Sequence, residues 1–257
     1  MKYNTVLRSI KDKVGTITLN RPEENNTFNI EMARELNEAL REFDEDEEVN
    51  VIVINANGRN FCTGIDVNYI DGKSIEEYLD WVRLMEEMNV TIANMDKPVI
   101  ASVHRIAVAN GIGLVAACDL AIASDTAKFG ATAINVGLFC MGPAVPLLKS
   151  LGRKKTLELI MTGDIIGADE AMRIGLINKV VPEADLIEET EKFAKKLADK
   201  NPIAMQLGKR SFYQIEDMKY EEAMEFANYH FATLCTLDSP QAEVQEFLNK
   251  NNKLKKK

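Results

Sequence analysis

The sequence predicts an α/β fold built around a largely parallel sheet, and three observations predict it. Short β-rich apolar runs alternate with segments of helical hydrophobic spacing through the first two thirds of the chain. Residues 51–54 (VIVI) form a continuous β-branched run, as expected of a strand buried on both faces. Glycine-bearing loops follow such runs directly, and open α/β sheets bind ligands at strand C-terminal ends.

In chain order, residues 6–9 and 14–19 read as strands joined by KDK, a hairpin that opens the sheet. A polar loop follows Asn20-Arg21-Pro22. Asn29 then has the chemistry of an N-cap, and Met32, Leu36, Ala39, Leu40 and Phe43 recur at helical spacing up to the acidic run 44–48. After the strand at 51–54, the loop 56–66 (ANGRNFCTGID) is bracketed by Gly58 and Gly64, where the backbone turns tightly. Residues 74–95 form a long helix rich in Leu, Met and Trp81, and 98–103 the next buried strand.

The stretch 97–143 organises the rest. Residues 107–113 are small enough for backbone to approach a ligand, and 111–118 (GIGLVAAC) is apolar on every side, which predicts a helix buried all round. Its N-terminal amides point toward whatever lies beside Asn110 and suit a developing oxyanion. The same run reads equally as a glycine-softened core helix that binds nothing. Residues 121–123 and 128–130 repeat the strand pattern. From Leu147 the chain turns helical, with a short helix ended by Gly175, a final strand, and amphipathic segments at 185–200, 202–214, 220–234 and 241–249. Composition shifts near Pro182, so we divide the chain into a βα core carrying the site, 1–182, and a C-terminal helical region, 183–257.

Composition narrows the function. With 46% hydrophobic and 28% charged residues and a formal net charge of −9, neither nucleic acid nor an anionic membrane is expected as the main partner. The basic tail, with Lys250, Lys253, Lys255, Lys256 and Lys257, is the one concentrated source of positive charge. Cys62, Cys118, Cys140 and Cys235 are widely spaced with no CxxC, the pattern of reduced cysteines in a cytosolic protein. Only His104 and His230 are available, so a histidine-based metal site or a Ser-His-Asp triad has little to draw on, and no metal is expected. The N-terminus lacks a signal-peptide core and no apolar run approaches the ~20 residues of a membrane span, so a cytoplasmic location is expected.

Laid end to end, ITLNRPEENNTFN, FCTGIDV, KPVIASVHRIAVANGIGLVAACDLAIAS, AKFGATAINVGLF, ELIMTGDIIGADEAMRIGLINKVV and QEFLNK resemble the crotonase superfamily of enoyl-CoA hydratases and isomerases. The resemblance implies a crotonase-like spiral of ββα units with a C-terminal helical region, assembly into a homotrimer or homohexamer, and an acyl-CoA thioester as substrate, with no separate cofactor. It also implies two backbone N–H donors for the thioester oxygen, at Ile65 and Asn110, and CoA contacts at Thr63, Gly64, Asp66 and Gly111. Phe247 and Lys250 are implied as adenine and phosphate contacts to a neighbouring subunit's CoA.

The glutamate pair of the family's hydratases matches Gly113 and Ala133, so both carboxylates are replaced. AINVGLFCMGP resembles a subgroup of enoyl-CoA hydratase domain-containing proteins that also lack the pair. The expected functions are therefore the family default of 2-enoyl-CoA hydration or isomerisation, base-free decarboxylation of a malonyl-type thioester, or acyl-CoA binding without turnover. Ionisable neighbours of the site are Cys140, Asp66, Asp119 and His104, with structural roles expected for Asp119, Cys140 and His104.

Overall fold

A computed structural model describes residues 3–254. The hairpin is present, with β1 (Val6–Lys11) antiparallel to β2 (Val14–Leu19). Its turn is two residues rather than KDK. Asp12 and Lys13 both take positive φ, the conformation that matches strand twist in tight hairpins. Helix α1 (Ile30–Glu45) follows, capped by the Asn29 side chain accepting from the Met32 N–H at 2.8 Å, and its predicted apolar stripe is buried. Strand β3 (Val51–Ala56) pairs in parallel with β2. Helix α2 (Ile75–Asn94) starts at a capping box made by Ser74 and Glu77.

From here each turn of chain supplies one strand to each of two sheets and then a helix. Strand β4 (Val99–Val103), strand β5 (Ile106–Val108) and helix α3 (Asn110–Ala117) make one turn. Strand β6 (Leu120–Ser124), strand β7 (Lys128–Gly130) and helix α4 (Met141–Thr162) make the next. In the preceding turn, between β3 and α2, the second strand shrinks to isolated parallel bridges at Cys62–Ala107 and Phe28–Ile65. Helix α4 begins six residues before the predicted onset at Leu147, because Pro143 near its start needs no N–H partner there. It breaks at Gly152, whose φ of 71° lies outside the helical range.

Strand β8 (Ile165–Gly167), helix α5 (Ala168–Arg173) and strand β9 (Lys179–Val181) complete the sheets, in orders β1-β2-β3-β4-β6-β9 and β5-β7-β8. In the larger sheet every pair after the hairpin is parallel, and β3 and β4 are apolar on both faces as predicted. Helix α6 (Leu186–Ala198) covers the outer face, with Ala194 and Ala198 packed among Val51, Val53 and Ile100. Helices α7 (Pro202–Ile215), α8 (Tyr220–Cys235) and α9 (Asp238–Leu254) stand outside this layer. Asp238 and Ser239, expected before the last helix, lie in its first turn. Among the described residues no helix is long and apolar enough to cross a membrane. Lys255, Lys256 and Lys257 of the basic tail lie outside the described residues.

Asp119 ties the C-terminal helices to the core. It accepts the Val99 N–H at 2.7 Å and the Tyr213 hydroxyl at 2.9 Å, and pairs with Lys209 at 2.8 Å; Lys209 also donates to the Lys97 carbonyl. The side chains of Lys209 and Asp119 are 7% and 13% exposed. Burial, and the negative charge of Asp119 beside it, push the Tyr213 hydroxyl well above its ordinary value and keep it a donor. Removing one partner strands the other charge away from water, so Asp119→Ala should lose about 3 kcal/mol or more in a urea titration of unfolding.

Candidate active site

The loop carrying FCTGID is clamped on two sides. Asn26, fully buried, donates through Nδ2 to the carbonyls of Asn57 and Asn60, both at 2.8 Å, and accepts the Arg21 N–H. The Thr63 N–H reaches the Asn25 carbonyl, Phe28 N–H the Gly64 carbonyl at 2.8 Å, and Asp66 N–H the Phe28 carbonyl at 2.9 Å. On the other side Cys62 exchanges hydrogen bonds with Ile106 and Val108 at 3.0 Å each. This is the structural content of the NNTF motif: it pins the loop from below.

Alternation along an extended chain then sets the direction of Ile65. Because Gly64 and Asp66 direct their carbonyl and N–H to Phe28, the Ile65 N–H points the opposite way, toward residues 108–110. There Ala109 adopts φ 51° and ψ −117°, a backbone conformation rare for a residue with a side chain. The turn makes Asn110 the first residue of α3, so its N–H has no partner within the helix. Gly64 allows the two segments to meet: a Cβ on it would fall 2.9 Å from the Ala109 Cβ and 3.8 Å from the Asn110 nitrogen. Among the described residues neither N–H donates to a protein acceptor. Two such donors at a helix start can stabilise negative charge developing on an oxygen.

The remaining predicted residues distribute as follows. Thr63 bonds the Asn25 carbonyl through both N–H and hydroxyl. Gly111 is buried against the Cys62 backbone, which leaves no room for a Cβ. The Asp66 carboxylate caps the Asn68 N–H and lies 3.6 Å from Arg21. Gly113 faces Pro143, and Ala133 sits in a 3-10 turn (Thr132–Val136). Phe247 and Lys250 are exposed on α9, and Lys250 pairs with Glu246. Three of the four ionisable neighbours expected at the site are occupied elsewhere: Asp66 with Arg21, Asp119 with Lys209, and His104 with the Gly58 carbonyl at 3.1 Å. Cys140 is 4% exposed, and burial pushes its thiol above the ordinary value.

The carboxylate that does reach the site comes from α2 and was not among those candidates. Glu86 accepts the Asn110 Nδ2–H at 2.7 Å on one oxygen and the Asn89 Nδ2–H at 2.7 Å on the other. Desolvation raises its pKa to about 7, against the lowering effect of those two hydrogen bonds. Gly142, in the first turn of α4, makes the space: a Cβ there would overlap the Glu86 carboxyl. The negative charge of Glu86 also acts on the Cys140 thiol and adds to the rise that burial causes. The available sequence signal was weak: Glu86 and Asn89, three residues apart, flank the buried stripe of Trp81, Met85, Met88 and Ile92. The contact with Asn110 spans 24 residues and two elements.

The comparisons with known proteins agree with the fold. Residues 9–256 match the family model for enoyl-CoA hydratase/isomerase. The chain is 36% identical to the mitochondrial enoyl-CoA hydratase domain-containing protein 3 of Rattus norvegicus, over 93% of this chain and 80% of that one. It is 30% identical to a crotonyl-CoA hydratase of Syntrophomonas wolfei, over 97% of each. Among solved structures, human enoyl coenzyme A hydratase domain-containing protein 3 superposes with a TM-score of 0.92 at 33% identity, covering 96% of this chain and 98% of that one. An enoyl-CoA hydratase of Mycobacterium smegmatis gives 0.93 at 36% identity, covering 96% and 97%. With its alternating strands, two sheets and C-terminal helices, the chain belongs to the enoyl-CoA hydratase/isomerase family, the crotonase superfamily.

Proposed function

We propose that this protein binds an acyl-CoA thioester and stabilises its enolate between the backbone N–H groups of Ile65 and Asn110. The observation that carries the reading is a pair of N–H groups without a protein acceptor among the described residues, one turned away from Phe28 by the bridge there and the other set at the start of α3 by the positive φ of Ala109. In this reading the pantetheine runs past Thr63, Gly64, Asp66 and Gly111. The donors are main chain, so the side chains of Ile65 and Asn110 are free to shape the pocket.

Hydration by the usual pair is not supported. Water addition needs one group to deprotonate water and one to protonate carbon, and Gly113 and Ala133 offer neither. Nor is the pair easily restored, because a Cβ at Gly113 would lie 2.9 Å from the Pro143 Cβ. Assembly into a trimer or a pair of trimers is supported by the apolar side chains that α7, α8 and α9 expose, among them Phe212, Tyr220, Tyr229, Phe231 and Phe247. Phe247 and Lys250 would then complete a neighbour's CoA site. Buried free thiols at Cys62, Cys118 and Cys140 support a reducing compartment such as the cytoplasm.

The direct test incubates pure protein with saturated, 2-enoyl, 3-enoyl and malonyl-type CoA thioesters and reads products by mass spectrometry. Thioester binding with little hydration of crotonyl-CoA is expected; release of CO₂ from the malonyl-type compound would favour decarboxylation, and binding with no product a non-catalytic role. Gly113→Ala should destabilise the fold by about 1–3 kcal/mol through overpacking against Pro143, and Gly113→Glu combined with Ala133→Glu should yield no hydratase. Sedimentation velocity at micromolar concentration should show three or six chains per particle; a monomer would remove the shared CoA site.

A further inference from the structure

We propose that Glu86 is the catalytic acid–base of this site, moving a proton along the acyl chain of an enoyl-CoA thioester without adding water. The inference rests on the thioester reading above and deepens it. Asn110 links the two functions: its backbone N–H faces the thioester oxygen, while its side-chain amide holds the Glu86 carboxyl at 2.7 Å. The carbon next to the thioester carbonyl is two bonds from that oxygen. Productive binding places that carbon beside the carboxyl, since Asn110 joins the carboxyl to the residue whose N–H would hold the oxygen.

The chemistry balances with a single carboxylate. Glu86 removes a proton from C2 of a 3-enoyl thioester, and the C–H electron pair forms the C2=C1 bond of a dienolate whose oxygen takes the negative charge between the two N–H donors. The carboxylic acid then returns the proton to C4. The C3=C4 double bond becomes C2=C3, the charge leaves the oxygen, and no other reactant is consumed.

The surroundings suit that role. Asn89 and Asn110 are both neutral donors, so they orient the carboxylate without the strong ion pair that would disable it as a base. From α4 the facing titratable group is the Cys140 thiol, raised by burial, and α3 presents Asn110. Glu87, next to Glu86 on α2, is turned to Arg41 of α1, and Arg210 of α7 is taken by Asp96. The buried Asn89 Oδ1 has no hydrogen-bond partner among the described residues, leaving an acceptor beside the carboxyl. Gly142 is needed for the arrangement, since any side chain there displaces Glu86.

The test uses butyryl-CoA in D₂O, with deuterium entry at C2 followed by mass spectrometry, and titration of the same thioester for affinity. Wild-type protein should exchange. Glu86→Gln, which keeps the size of the side chain, should slow exchange at least about 100-fold while affinity stays within about threefold, and Glu86→Asp should recover part of the rate. Because the ionised form is the base, the wild-type rate should rise with pH through about 7 and level off above it, and Glu86→Gln should lack that rise. Gly142→Ala, which crowds out the carboxyl, should reproduce the loss and serves if Glu86→Gln does not fold. With 3-enoyl-CoA the product should be 2-enoyl-CoA. Undiminished exchange in Glu86→Gln with binding intact overturns the proposal alone, as does equal loss in Cys140→Ala. Failure of wild-type protein to bind any of the thioesters overturns the underlying site reading and the proposal with it.

Discussion

The constraint on which the rest depends is the placement of a helix with no solvent-facing side. Every residue of α3 from Asn110 to Ala117 is buried, which requires neighbours packed around it at backbone distance. Three glycines make this approach possible. Gly64 admits Ala109, Gly111 lies on the Cys62 backbone, and Gly113 lies against Pro143. A helix held this way has its first N–H on a buried residue, where a partial positive charge is worth most. The positive φ of Ala109 is stabilised by the surrounding packing, and such strain persists only where the structure over-determines it.

Glu86 shows how the same packing shapes the chemistry. Its carboxyl is withdrawn from water, which favours the neutral acid, and receives two amide donors, which favour the anion; desolvation is the larger effect. The outcome, a carboxyl near pH 7, is the condition under which one group both accepts and returns a proton. An arginine in place of Asn110 or Asn89 would hold the group ionised, and full exposure would leave it an ordinary weak base. Two asparagines give orientation without that commitment, and the glycine at 142 leaves the carboxyl its space.

The buried polar contacts divide into two kinds with different purposes. Asn26 and Asp119 are saturated, by backbone groups in the first case and by Lys209, Tyr213 and the Val99 N–H in the second, and they fix segments in place. Among the described residues the Ile65 and Asn110 N–H groups and the Asn89 Oδ1 are left without protein partners. Other buried side-chain atoms without a partner, among them Asn37 Nδ2, Asn55 Oδ1 and Thr156 Oγ1, lie elsewhere in the scaffold, so what marks the candidate site is the pairing of Glu86 with Asn110 and Asn89.

By itself the sequence determined the α/β class, the parallel strands, the α1 cap at Asn29 and the all-round burial of α3. These depend on local chemistry and periodicity: β-branched runs, an N-cap side chain, and apolar residues at every position of a helical turn. The candidate donors at Ile65 and Asn110 were implied by the resemblance of FCTGID and AVANGIG to the crotonase superfamily, while local composition offered only glycine-bearing loops after strands. Tertiary structure alone decided the rest. The side-chain partners of Asp119, Lys209 and Tyr213, come from α7, far along the chain, and nothing local to CDLAIAS announces them. Glu86 reads in sequence as one more acidic residue on an acidic helix, and it becomes distinctive only where α2 brings it to Asn110 and the glycine at 142 leaves it room. Whether a carboxylate is solvated surface or a desolvated proton carrier is set by what packs around it, and that is a property of non-local contacts.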